Sequence, residues 1–182
     1  MNRRDLLAFI AAATGTALIG APAARAYDET SIGENLFSPE DAAFLNDVAE
    51  VILPETETPG ARAADVGGFM TVYVSDCYTG AQQERFRESL ATLRGWSEDV
   101  YGKPFGALSA SEQTAMIEDI ARLARIETEK GATPHWFTPI HQLTLFGFFT
   151  SELGANEVLR YEPVPGEYIG DLDYDGGPAW AT

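Results

Sequence analysis

The sequence predicts an all-α fold: a compact bundle of about five helices between an irregular N-terminal arm and a long non-regular C-terminal tail. Three observations carry that prediction. Apolar residues recur every three to four positions in five separate stretches. Serine, proline and glycine stand where those stretches begin and end. No stretch alternates apolar and polar residues as a run of strands would. A length of 182 residues suits one domain, and a hydrophobic content of 45% is enough for a core.

The elements follow in order. Residues 1–26, "MNRRDLLAFIAAATGTALIGAPAARA", have a basic start, an apolar run and a small-residue end. Adjacent Arg3 and Arg4 followed by Leu6, Leu7, Phe9 and Ile10 have the layout of a twin-arginine export signal, with Ala24 and Ala26 framing a cleavage site. Alanine, glycine and threonine dilute the apolar run below what a membrane span requires. Residues 27–37 lack a period and read as an arm. Ser38-Pro39-Glu40-Asp41 is a helix start, with a serine cap, proline in the first turn and acids at the positive end of the dipole. Phe44, Leu45, Val48, Val51 and Ile52 follow at helical spacing, and Pro54 ends the helix. "PETETPGARAADVGG" reads as a solvated loop; its acids do not have calcium-loop spacing.

A second helix is expected from about Val66 to Tyr78, with Phe69, Tyr73 and Cys77 recurring on one apolar face. A third runs from Ala81 to Tyr101 through Phe86, Leu90 and Leu93. The fourth, capped by Ser109 or Ser111, carries Met116, Ile120 and Leu123, with Glu118 and Arg122 as an i,i+4 pair. The last long helix, from about His135 to Leu153, is apolar nearly all round, which suits a central helix or one half-covered by a partner. Gly154 ends it. The helical domain is therefore 38–160, and 161–182 is a tail. No period fits that tail, and it is longer than ordinary loops. Tyr161, Tyr168, Tyr174 and Trp180 sit in it with no core helix to carry them, so they are read as docking groups.

Charge narrows the function. The formal net charge is −16. Removing Arg3, Arg4, Arg25 and Asp5 with the signal from 12 basic and 28 acidic residues leaves 9 and 27, a net charge of −18. Such a chain repels nucleic-acid phosphates and anionic membrane surfaces, and its mature part has no stretch able to span a bilayer. Export implies the periplasm, where disulfides form. Cys77 is the single cysteine, and on a helical apolar face it is expected to be buried and inert.

Chemistry is hard to find. His135 and His141 are six apart, on different helix faces, whereas a helical zinc pair needs i,i+4. His141 reads as a core or interface histidine. Asp171, Asp173, Asp175 and Gly176 have the early spacing of a calcium loop, but no glutamate stands at the twelfth position, so a solvated acidic tail is preferred. No nucleophile–base pair emerges. No catalytic residue, cofactor site or metal site is expected in this chain.

"VILPETETPGARAADV", "LTLFGFFTSELGANEVLRYEPVPGEYIGDL" and the twin-arginine start together resemble the gluconate 2-dehydrogenase subunit 3 family. The likeness runs from Ser38 to near Trp180. It implies a non-catalytic small subunit of a periplasmic FAD-dependent sugar or alcohol dehydrogenase complex. The flavin would sit in a large glucose–methanol–choline type subunit that this chain binds and escorts through the twin-arginine route. The resemblance also allows a cytochrome c subunit that anchors the complex to the membrane. On that reading Phe146, Phe149 and Glu152 turn the last helix toward the partner, and Pro165 and Gly166 bend the arm that carries Tyr168 across it. Relatives are expected to have a cysteine soon after the glycine of PGxYxG; here Asp171 follows Gly170, so docking is expected to be non-covalent. The alternative is a stand-alone periplasmic helical protein with a ligand-binding or structural role.

Overall fold

A computed structural model describes residues 35–130, 134–164, 166–167, 170–171, 173 and 176–181. Five α-helices make the body: α1 (Pro39–Ile52), α2 (Val66–Cys77), α3 (Gly80–Tyr101), α4 (Ala110–Glu129) and α5 (Thr138–Thr150). A 3-10 turn (Phe105–Ala107) links α3 to α4, and a single π-helical turn (Gly154–Val158) follows α5. The all-α bundle expected from the periodicity is present.

The helix starts are built as the sequence dictates. Ser38 and Asp41 cap α1 reciprocally, Thr79 and Gln82 do so for α3, and Ser109 and Glu112 for α4. Each pair satisfies backbone N–H groups that the first turn leaves without partners. The ladder from Leu45, Val48 and Ala49 through Met70, Val74, Phe86, Leu93, Met116 and Ile120 to Ile140 closes one core. Burying one such large side chain contributes about 1.5–3 kcal/mol. Helix α1 packs against α2, α4 and α5, and so lies at the centre of the bundle.

The α1–α2 contact has a specific device. Backbone approaches so closely at Gly67 that an added Cβ would collide with the Ala42 carbonyl oxygen and the Asn46 backbone nitrogen. The first turn of α2 is not capped by its own residue. Asp65 precedes it in the left-handed region (φ 49°) and makes no side-chain cap. Instead the Asn46 amide reaches across from α1: its Oδ1 accepts from Gly67 N at 2.7 Å and its Nδ2 donates to Asp65 Oδ1 at 2.7 Å.

The loop between α1 and α2 is more ordered than its composition suggests. The Glu50 carboxylate accepts from Glu55 N at 2.9 Å and Arg62 N at 2.8 Å, folding residues 55–62 around it. Gly60 lies against that carboxylate with no room for a Cβ. Arg62 pairs with Asp47 at 3.0 Å. The end of the N-terminal arm is also tied down. Asn35 Nδ2 donates to Thr71 Oγ1, Leu36 N donates to Ser75 Oγ, and Phe37 is buried edge-on against Phe86.

Four expectations need correction. Cys77 is exposed, because α2 presents the Phe69–Tyr73–Cys77 line at the edge of the bundle rather than to its core. Arg122 pairs with Asp119 at 2.7 Å, an i,i+3 neighbour one residue closer than Glu118. Helix α5 stops at Thr150: Ser151 turns extended, its hydroxyl donating to Phe148 O and accepting from Gly154 N. Gly154 therefore does not end α5 but opens the π turn, packed on the Phe148 carbonyl where a Cβ would not fit. Fourth, the tail is not wholly without regular structure. β1 (Arg160–Tyr161) pairs in parallel with β2 (Trp180–Ala181), Arg160 opposite Trp180.

Two predictions follow from the α1 contacts. Gly67→Ala forces the two helices apart and should cost about 1–3 kcal/mol in chemical denaturation, whereas Gly80→Ala, in open space, should be nearly silent. Asp41 accepts from Ser38 and pairs with Arg94 at 2.7 Å; burial alone would raise its pKa, but these bonds outweigh it and hold it below the usual range. The unfolded chain therefore takes up this proton first, at a pKa of about 3.9. The stabilisation is full above that value and is lost as pH falls through the folded pKa, so Asp41→Asn should flatten the stability profile below pH ~4.

Candidate functional site

The surface feature that packing alone does not explain is a cluster of four rings on α2 and α5. Phe69, Tyr73 and Phe146 are mutually in contact, with centroids 5.4 to 5.8 Å apart, and Tyr78 meets Tyr73 edge-on at 5.9 Å. Helical spacing creates it. Phe69, Val72, Tyr73, Asp76 and Cys77 stand at i, i+3, i+4, i+7 and i+8 and share one side of α2, while Val66, Met70 and Val74 point to the core. The rings can approach because α5 offers a glycine: a Cβ on Gly147 would sit 2.5 Å from Phe69 Cδ1. Val72 is 51% exposed and Phe146 46%, so the cluster presents apolar area to solvent.

The expected site residues divide on this frame. Phe146 is the exposed member of the cluster, whereas Phe148 on α5 and Phe137 at its N-cap are core. Phe149 is half-buried against Phe148. Glu152 is exposed just past the end of α5. Tyr161 and Trp180, at 49% and 54% exposure, lie on the paired strands β1 and β2 at the base of the tail. There Arg160 N donates to Ala179 O, Glu162 N donates to Ala181 O, and the Arg160 guanidinium stacks 4.5 Å above the Trp180 ring. Trp180 thus has a ring partner within its own chain. Gly166 is exposed with φ 72°, a turn position that favours glycine. Pro165, Tyr168 and Tyr174, like Arg3, Arg4, Ala24 and Ala26, lie outside the described residues. The half-buried Phe69, Tyr73 and Tyr78 were missed as site residues. The i,i+4 recurrence of Phe69, Tyr73 and Cys77 was visible, but periodicity does not say which of two apolar stripes on a helix faces inward.

The histidines are structural. His135 is buried against Trp136, centroids 5.0 Å apart, and its Nδ1 accepts from Phe137 N at 3.2 Å. His141 is half-buried beside Phe137, and burial lowers its pKa, keeping it neutral at pH 7. Among the described residues no group of three His, Cys, Asp or Glu side chains could hold a metal ion. A groove of about 480 Å³ runs past Tyr78, Gln82, Arg85, His135 and Trp136, so Tyr78 joins it to the ring cluster. No helix among the described residues is long and apolar enough to cross a membrane.

Comparison with known proteins adds one match. The family model described as gluconate 2-dehydrogenase subunit 3 covers residues 39–166, from the first turn of α1 to the turn glycine of the tail. No curated protein and no solved structure matches the chain.

The geometry at Gly147 is testable. Gly147→Ala should displace the Phe69 ring and disperse the cluster, with loss of near-ultraviolet tyrosine dichroism, unchanged helix content and a cost of about 1–3 kcal/mol.

Proposed function

The chain belongs to the gluconate 2-dehydrogenase subunit 3 family, a subunit of multi-subunit dehydrogenase complexes, and from that premise we propose that it is the non-catalytic docking and export subunit of a periplasmic FAD-dependent sugar or alcohol dehydrogenase. The ring cluster of α2 and α5, half-buried at Phe69, Tyr73 and Tyr78 and exposed at Phe146, carries the reading. A compact helical domain stabilises itself by burying apolar side chains; this one leaves Phe146 and Val72 about half exposed while satisfying its core elsewhere. Rings presented together at the surface are typical anchors of protein interfaces. Phe146, Tyr73 and Phe69 form the centre of the docking face, and the tail with Tyr161, Pro165, Tyr168, Tyr174 and Trp180 provides a second contact.

The flavin and the oxidation belong to the large partner. A cytochrome c subunit fits the same assembly as its link to the membrane. The twin-arginine pair Arg3 and Arg4 directs export of folded cargo, so a partner bound in the cytoplasm would cross with this chain. That arrangement accounts for an apolar docking face on an exported domain.

Co-expression with its native genomic neighbours tests the proposal. The tagged chain should recover a flavin-bearing large subunit from the periplasm, and replacing Arg3 and Arg4 with lysine should leave both in the cytoplasm. A colourless chain recovered alone would sink the reading. So would a flavoprotein that reaches the periplasm without it.

A further inference from the structure

The inference here rests on the docking reading and specifies the chemistry of the surface that meets the ring cluster. This chain covers its aromatic rings with its own arginines in three places. Arg87 lies 5.9 Å over Phe37, Arg94 4.7 Å over Phe44 and Arg160 4.5 Å over Trp180. Among the described residues, no arginine or lysine stacks on Phe69, Tyr73, Tyr78 or Phe146. The reason is in the sequence. Residues 63–84, which contain all of α2, have no Lys or Arg, and neither do residues 131–159, which contain all of α5. The charges these stretches do carry are acidic: Asp65, Asp76, Glu84, Glu152 and Glu157. Asp76 is exposed one turn beyond Val72 on the same side of the helix.

We propose that the face receives arginine side chains from the catalytic subunit, laid on the rings of Tyr73 and Phe146 and paired at the edge with Asp76. The electron-rich faces of the rings attract a cation, and a flat, weakly hydrated guanidinium gives up less solvation than an ammonium when it stacks there. The surrounding charge acts in the same direction. A chain of net charge −16 steers a basic patch toward it at long range. The same charge disfavours a second copy of this chain, which would bring Asp76 and its own uncapped rings against the identical set. The complementary surface is therefore an apolar patch bearing arginine, not an aromatic or acidic one.

Binding of the wild-type chain and of variants to the purified catalytic subunit, measured over a range of salt concentrations, decides the matter. Tyr73→Leu with Phe146→Leu keeps apolar bulk but removes the π faces, and it should weaken binding roughly five- to thirtyfold. Asp76→Asn should reduce the dependence of affinity on salt. Far-ultraviolet dichroism checks that each variant remains folded. Full-strength binding by the leucine pair, or an unchanged salt dependence in Asp76→Asn, overturns the inference. The docking reading survives that result if Phe146→Ser still loses the complex. A folded wild-type chain that binds no catalytic subunit sinks both. A homodimer of the wild-type chain that dissociates on Phe146→Ser assigns the face to a second copy and likewise overturns the inference.

Discussion

The placement of α2 depends on one side chain of another helix. Asn46, midway along α1, uses both ends of its amide to hold the entry of α2: the oxygen on the Gly67 N–H and the nitrogen on the Asp65 carboxylate. A helix start whose N–H groups lack partners is costly, and here the partner is supplied across the interface rather than along the chain. Cap, crossing point and close approach are thus one contact, and only glycine fits at its centre. Once α2 is fixed on α1, its core stripe faces Leu45 and Val48, and its outer stripe of Phe69, Val72 and Tyr73 is left at the edge, where α5 brings Phe146. The candidate docking face is a consequence of how α2 is seated.

Glu50 plays a related part for the loop. The stretch "LPETETPGAR" looks like a solvated acidic connection by composition, yet two of its backbone N–H groups converge on the Glu50 carboxylate. Gly60 is then required by the carboxylate behind it rather than by a turn angle. Residues of a loop that looks solvated can therefore serve internal geometry, built around a carboxylate on the preceding helix.

Much of this was legible in the sequence, and the gaps have physical causes. Helix starts are short-range chemistry, so the Ser38 cap could be placed to the residue and the cap of α4 narrowed to Ser109 or Ser111, of which the structure uses Ser109 with Glu112. Core stripes such as Met116–Ile120 depend on periodicity and were equally visible. Whatever depended on a partner distant in sequence was not: the trans cap from Asn46, the Glu50-centred loop and the pairing of Arg160 with Trp180 across the tail. Cys77 and Tyr73 were misplaced because α2 is apolar on two sides, and only the seat of α1 and α5 decides which side is buried. In the candidate site, Phe146 was legible because the apolar surface of α5 exceeds what a core can take, but the rings it meets on α2 were not.

The closed base of the tail has a kinetic meaning. With Arg160 stacked on Trp180 and two backbone hydrogen bonds beside them, β1 and β2 hold the two ends of the tail together. A partner engaging both the helical face and the tail meets two contacts on one body, and after either lets go the other keeps it near at high effective concentration. Two modest contacts then give a long residence time, as the proposed export of a bound partner would require.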